Sequence, residues 1–95
     1  MALLLNTFNV MEKALDRKIK MIWDFRGPSA ASIAEHYQKH LEEFVVIEEL
    51  KFDITGVEHF SPEHSIAFLV VAEFEVKEVR NLLKPHRGEI YTEEH

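Results

Sequence analysis

From residue 19 the chain alternates apolar and polar side chains. Ile19, Met21, Trp23 and Phe25 interleave with Lys20, Ile22, Asp24 and Arg26, a period of two that gives a strand one greasy and one mainly polar face. Gly27-Pro28 breaks the run. After it Ile33, Ala34, Tyr37, Leu41, Phe44 and Val45 recur at helical spacing, which predicts one long amphipathic helix. Two starts are open: Ser29 as N-cap ahead of Ala30-Ala31, or Ser32 with Glu35 three residues on as a capping box. The end is open too, because running on to Leu50 would set Glu48 in the apolar stripe, whereas stopping near Val46 avoids that.

Residues 52–60 and 65–72 are two strand-like runs separated by Ser61-Pro62-Glu63-His64, a turn composition that predicts a hairpin. The second run is apolar on both faces, the mark of a strand inside a sheet. Val76, Val79 and Leu83 predict a short helix stopped by Pro85, and Glu89-Ile90-Tyr91-Thr92 a final short strand. Upstream, Leu4, Phe8, Met11 and Leu15 suit a short amphipathic helix within an extension over residues 1–17. In the alternative, Met11 begins the protein proper and residues 1–10 pack on a partner or lie loosely. Residues 18–95 are then one domain. The order strand, helix, hairpin, helix, strand predicts an α+β fold of the ferredoxin-like βαββαβ plan, a four-stranded antiparallel sheet in the order 4-1-3-2 with two helices on one face.

That plan leaves a sheet face without helices. Its third strand would offer Ala67, Leu69 and Val71 to one face and Ile66, Phe68 and Val70 to the other. A second copy in an isologous contact is the expected cover, with Phe68, Ile66 and Val70 near the contact. The N-terminal segment folding over its own sheet is the alternative.

Composition narrows the function classes. At 95 residues the chain buries about 60–65% of its unfolded surface, enough for one modest core. With no cysteine, disulfides, thiolate metal sites and a Cys nucleophile are excluded, which suits a cytoplasmic protein. The formal charge is −6 with no clustered Lys and Arg, which argues against nucleic acid and against an anionic membrane surface. The opening Met-Ala-Leu-Leu-Leu has no basic residue ahead of it and gives way to Asn6, so no signal peptide is expected. No apolar run approaches the roughly 18 residues of a membrane helix.

Six histidines supply the candidate chemistry. The fold plan gathers Asp24, Arg26, His36, His59, His64, His86 and Arg87 at one edge of the domain. They should form two subclusters, because the hairpin turn lies about two strand spacings from the first strand. His36, His40 and Glu43 share one helix stripe, but the ligand set is incomplete and no tight divalent site or other cofactor is expected. His40, at the margin of the apolar stripe, should be half-buried, its ring capping the core. Asp24 and Arg26 form either a charge pair or a carboxylate-binding fork. Pro85-His86-Arg87-Gly88 reads as a candidate anion-binding turn, and His59 and His64 as solvated residues flanking the hairpin tip. His40, Asp24 and Arg26 are expected to line one cavity, with His86 or Arg87 closing its rim.

The open sheet face, together with the run AFLVVAEF at residues 67–74, resembles the dimeric α+β barrel superfamily, which includes small monooxygenases, isomerases and the YCII-related proteins. In the YCII-related family a helix histidine followed by leucine is regarded as catalytic. His40-Leu41 in HYQKHLEEF occupies the similar place, which implies a catalytic His40. The chain departs from that family after the second helix, where Lys84-Pro85-His86-Arg87-Gly88 replaces an Asp-containing segment, so the resemblance supplies no acid partner for His40. The pair WDFRGP and PHRGE also resembles a group of uncharacterised small bacterial proteins. Two functions follow as expectations: a homodimer that binds a small, anionic molecule and catalyses a reaction on it without a cofactor, or a non-catalytic dimeric regulatory or interaction module.

Overall fold

In the computed structural model the described residues are 16–92. The expected N-terminal helix falls almost wholly in residues 1–15 and so lies outside them. The elements are β1 (Lys18–Arg26), α1 (Ala30–Ile47), β2 (Thr55–Ser61), β3 (His64–Ala72), a 3-10 turn (Glu73–Glu75), α2 (Val76–Leu83) and β4 (Arg87–Ile90). They make an α+β arrangement with one four-stranded antiparallel sheet. From the β2 edge the strands run β2-β3-β1-β4; counted from the other edge, the same row of neighbours reads 4-1-3-2. The 3-10 turn between β3 and α2 has no counterpart in the sequence pattern. The Glu75 carboxylate holds it, accepting from the amides of Ala72 at 2.9 Å and Lys51 at 3.0 Å.

Several boundaries differ from the periodicity reading. β2 starts at Thr55, not residue 52, and β3 at His64, so the hairpin turn shrinks to Pro62-Glu63. β4 starts at Arg87 instead of Glu89, which moves Arg87 from a turn into the sheet. Ser29 stands at the N-cap of α1 with no side-chain cap bond. The helix thus starts at the first of the two expected positions, though without the cap bond, and Ser32, inside the first turn, donates its Oγ–H to the Ser29 carbonyl at 3.1 Å instead of forming a capping box. The helix ends at Ile47, followed by Glu49 in the left-handed region (φ 51°) and a Leu50 amide that returns to the Val45 carbonyl.

The inner stripe of α1 is Ala30, Ala34, Leu41 and Val45, all buried, with Tyr37 and Phe44 at its flanks. Ile33, expected in that stripe, is exposed. The stripe is therefore centred on the line through Ala34 and Leu41. His40, one step of about 100° from Leu41, turns outward and is exposed, contrary to the expectation that its ring caps the core.

Odd-numbered residues of β1 and β3 face the helices. Met21, Trp23, Ala67, Leu69 and Val71 pack with Leu41 and Val45 of α1 and Val79 of α2, and Ile19, Phe25 and Tyr37 close the margins. Trp23 Nε1–H donates to the Leu83 carbonyl at 2.9 Å, occupying one of the carbonyls that the last turn of α2 leaves unpaired. The Tyr37 ring lies 5.3 Å from that of Trp23 and 5.4 Å from that of Phe25, both tilted.

Even-numbered residues make the second face. Ile22, Ile66 and Val70 are buried there and Phe68 is half-buried, so Ile66 and Val70, expected as contact residues, are already covered within the chain. The Phe68 ring lies against Gly56 of β2, and a Cβ at residue 56 would overlap it. Lys20 Nζ sits 4.4 Å above the Phe68 centroid and 3.2 Å from a Glu58 oxygen, and cation–π and ionic contacts together press the ring onto the sheet.

Gly56→Ala is expected to destabilise the fold by about 1–3 kcal/mol, the usual cost of overpacking. In a Phe68→Leu background the same change should cost less than half as much. Urea denaturation of the double-mutant cycle measures this, and simple additivity would show that the Phe68 ring is not what occupies the space.

Candidate functional site

At the C-terminal end of β1 the sheet narrows. The β1–β4 ladder runs from Ile19 opposite Ile90 to Ile22 opposite Arg87, and the His86 amide closes it by donating to the Ile22 carbonyl at 2.9 Å. Two residues further on, the Asp24 amide has no β4 carbonyl to meet. It donates instead to His86 Nδ1 at 2.8 Å. A backbone amide only donates, so Nδ1 must carry a lone pair, and any ring proton of His86 sits on Nε2. Lys84, in the left-handed conformation (φ 49°) with its amide returned to the Arg80 carbonyl, ends α2, and Pro85 follows, unable to continue the helix. These two residues deliver His86 to the strand end.

This delivery sets Arg87 beside Asp24. Arg87 Nε donates to Asp24 Oδ2 at 2.9 Å and Nη2 to Oδ1 at 3.2 Å, a two-point fork. From the other side, His64 of β3 reaches Oδ1 with its Nε2 at 2.9 Å. An ionised carboxylate only accepts, so His64 Nε2 carries the proton, and Nδ1 is the basic atom of the neutral ring. The Phe60 ring packs 5.1 Å from the His64 ring. The Arg87 hydrogen bonds hold the Asp24 carboxyl far below the usual carboxylate range; desolvation opposes them, and the His64 hydrogen bond adds to them. The carboxylate is only 19% exposed. Across three adjacent strands the site reads arginine, aspartate, histidine.

A second set lies on the helix side of the same edge. His59 Nδ1 is 2.7 Å from Ser65 Oγ, and His59 Nε2 is 3.2 Å from a Glu35 carboxylate oxygen. The residue types match a nucleophile, base and acid, but Ser65 is completely buried, out of reach of a substrate. The set serves instead to partner a buried hydroxyl. His59 and His64 are therefore both hydrogen-bonded; His59 is exposed, as expected, whereas His64 is half-buried, and the sheet separates the two subclusters. Strand alternation sets His59 on one face while Phe60 meets His64 on the other, and the register then shifts before Ser61.

The remaining candidates fall elsewhere. Arg26, exposed at the end of β1, shares the Asp24 face and lies opposite His64 in register, but the fork expected of it belongs to Arg87. His36 and His40 pair on the surface of α1, Nε2 to Nε2 at 3.2 Å, with Glu43 at 3.9 Å from His40. Because α1 packs on the odd face of β1, His40 lies across the sheet from Asp24. It lines a hollow with Phe44, Ile47 and Leu82 instead, so the single cavity expected for His40, Asp24 and Arg26 does not form. Among the described residues no group of three or more His, Asp or Glu is arranged to hold a metal ion. The member of this cluster underrated from sequence is His64. Starting β3 at His64 would have brought it opposite Arg26 on the Asp24 face.

Towards the other end of the second face lies a groove of about 360 Å³ floored by Phe68 and flanked by Lys20, Glu58, Glu89 and Tyr91. Among the described residues no helix is long and apolar enough to cross a membrane. No family model, curated protein or solved structure matches the chain.

The depressed Asp24 pKa has a definite sign in stability. Below the ordinary value of 3.8 the unfolded chain takes up a proton at residue 24 that the folded chain resists, so the pairing stabilises the fold above about pH 5 and loses that contribution as pH falls. Asp24→Asn should lower stability at pH 7 by about 1–2 kcal/mol, given hydrogen bonds to a charged group and an exposed Arg87. The gap to the unmodified chain should close between about pH 5 and pH 2. A gap independent of pH in urea titrations would mean that the carboxylate charge is not the stabilising element.

Proposed function

We propose that the protein works as a homodimer joined through the second face of its sheet, and that it binds a small, anionic molecule beside His64 and transfers a proton on it without a cofactor. The observation that carries this reading is the Arg87–Asp24–His64 hydrogen-bond set on the sheet face opposite α1 and α2. With its carboxylate kept ionised, Asp24 orients the His64 ring and stabilises the imidazolium formed when Nδ1 takes a proton. His86 holds the Asp24 backbone in place. Arg26, exposed and across from His64, is the cation placed to receive the anion.

A sheet whose core-forming helices pack on its odd face supports the ferredoxin-like plan and the dimeric α+β barrel resemblance, in which a second copy would close over the site. The absence of cysteine suits a cytoplasmic location. The geometry favours His64 over His40 as the proton-transferring group, since the nearest carboxylate to His40 stands 3.9 Å away on an exposed helix surface. One observation favours the second reading, a non-catalytic dimeric module: the groove on this face is lined at its far end, by Lys20 and Phe68, and not by Asp24.

Sedimentation should find a dimer that Phe68→Glu splits, and a stable monomer at all usable concentrations would sink the assembly. In a thermal-shift screen of small carboxylates, a binder should raise the melting temperature of the unmodified protein. Its affinity should fall at least about tenfold in Arg26→Ala, the loss of about 1.4 kcal/mol expected for one charged anchor. His64→Gln should abolish turnover while retaining most binding. Unchanged affinity in Arg26→Ala would move the anion elsewhere.

A further inference from the structure

The outer surface between the second half of α1 and α2 is the one place where exposed apolar side chains gather among the described residues. Val46 and Ile47 are 74% and 75% exposed, and Phe74 and Leu82 56% each. Four hollows of about 260 to 490 Å³ run together here. Phe44 and Glu48 join the first to the second, Glu43 and Ile47 the second to the third, and Phe74 and Leu82 tie in the fourth. The result is an apolar trough whose rim is mainly acidic, with Glu42, Glu43, Glu48, Glu49 and Glu78 against Lys39 and Lys77. A patch of this kind on a single chain marks a contact surface.

We propose that the trough is the docking site of the chain's own residues 1–15. The first support is where the described chain begins. Asp16 is held 3.2 Å from Lys51 Nζ, Arg17 pairs with Glu73 at 2.8 Å, and the Glu73 amide donates to the Arg17 carbonyl. The Lys51 amide in turn bonds Glu75, which lines the first hollow with Leu50 and Phe74. The described chain therefore begins, at Asp16, at the mouth of the trough. The second support is composition. Residues 1–11 carry no charged side chain, and Leu4, Phe8, Met11 and Leu15 recur at helical spacing, a stripe that matches an apolar floor and meets no repulsion from an acidic rim. The third is reach. Fifteen residues span about 22 Å as a helix, against about 12 Å for the eight residues of α2. A tether this short holds its segment at an effective concentration on the order of millimolar. A second copy facing the trough with its own trough would set acidic rim against acidic rim, which disfavours that occupant.

The natural chain contains no cysteine, so paired cysteines report proximity without background. The full-length variant Phe8→Cys/Leu82→Cys, and a second, Phe8→Cys/Ile47→Cys, are oxidised in a glutathione buffer alongside the control Phe8→Cys/Glu58→Cys, which probes the second sheet face. All replaced groove and control positions are exposed, and Trp23 fluorescence verifies folding. The expected result is an intramolecular disulfide in both trough pairs, favoured at least about tenfold over the control, read by mass spectrometry and non-reducing electrophoresis. A preference for the Glu58 pair would place the segment over the sheet. A disulfide between chains at dilute protein would make the contact an exchange between copies, and no disulfide in either trough pair would leave the trough to another occupant. Each of these three outcomes overturns the proposal.

Discussion

Strand β1 is hydrogen-bonded on both edges, to β3 along all nine of its residues and to β4 over four, and every other feature of the molecule adjusts to that constraint. A strand enclosed in this way cannot turn a polar side chain toward an open edge. Its odd positions therefore carry the apolar groups that meet α1 and α2, and its even positions bring Lys20 and Asp24 onto the opposite face. Asp24 is only half-buried, but a carboxylate in that position still loses much of its hydration and needs compensating donors. Arg87 and His64 are the compensation, and they come from the strands on both sides of β1.

The second face is consequently neither a bare apolar surface nor a solvated one. Lys20 lies across Phe68 toward Glu58, the Phe68 ring covers Gly56, and Ile22, Ile66 and Val70 on the same face are buried. Long side chains laid over apolar neighbours in this way keep their charged ends in water while shielding the strand residues. At one end the same logic produces a fully hydrogen-bonded ionic cluster, and at the other a shallow groove. The chemical interest lies in the cluster, because an ionised Asp24 fixes the tautomer of His64 while leaving the second ring nitrogen for other chemistry.

The short β4 gives the site its shape. With only four residues it ends before β1 does, and the missing ladder partner is replaced by an imidazole nitrogen. A longer β4 would satisfy the Asp24 amide with a backbone carbonyl, and the position of residue 86 would then carry no ring into the site. Secondary structure and site chemistry are thus coupled through one hydrogen bond, that from the Asp24 amide to His86 Nδ1.

Much of the architecture was legible in local patterns, because those patterns report burial directly. Alternation over residues 19–26 identified β1 and its core face, the Ile33-to-Val45 stripe located α1 to within a turn, and the uninterrupted apolar run before Ala72 marked β3 as internal. Asp24, His86 and Arg87 were singled out because a central strand and a helix-stopping Pro85 restrict where such residues can go. Which groups would pair was not legible. Asp24 chose Arg87 over Arg26 because β4 began two residues early and pairing across strands brought the Arg87 fork within reach, and His64 joined because the hairpin turn used two residues and not four. A helix stripe blurred by Ile33 likewise misplaced His40, whose direction depends on about 100° of rotation that only packing against the sheet sets. Periodicity records which side of an element is greasy; register, strand length and helix rotation are settled only when the elements pack against one another, and those three decided the site.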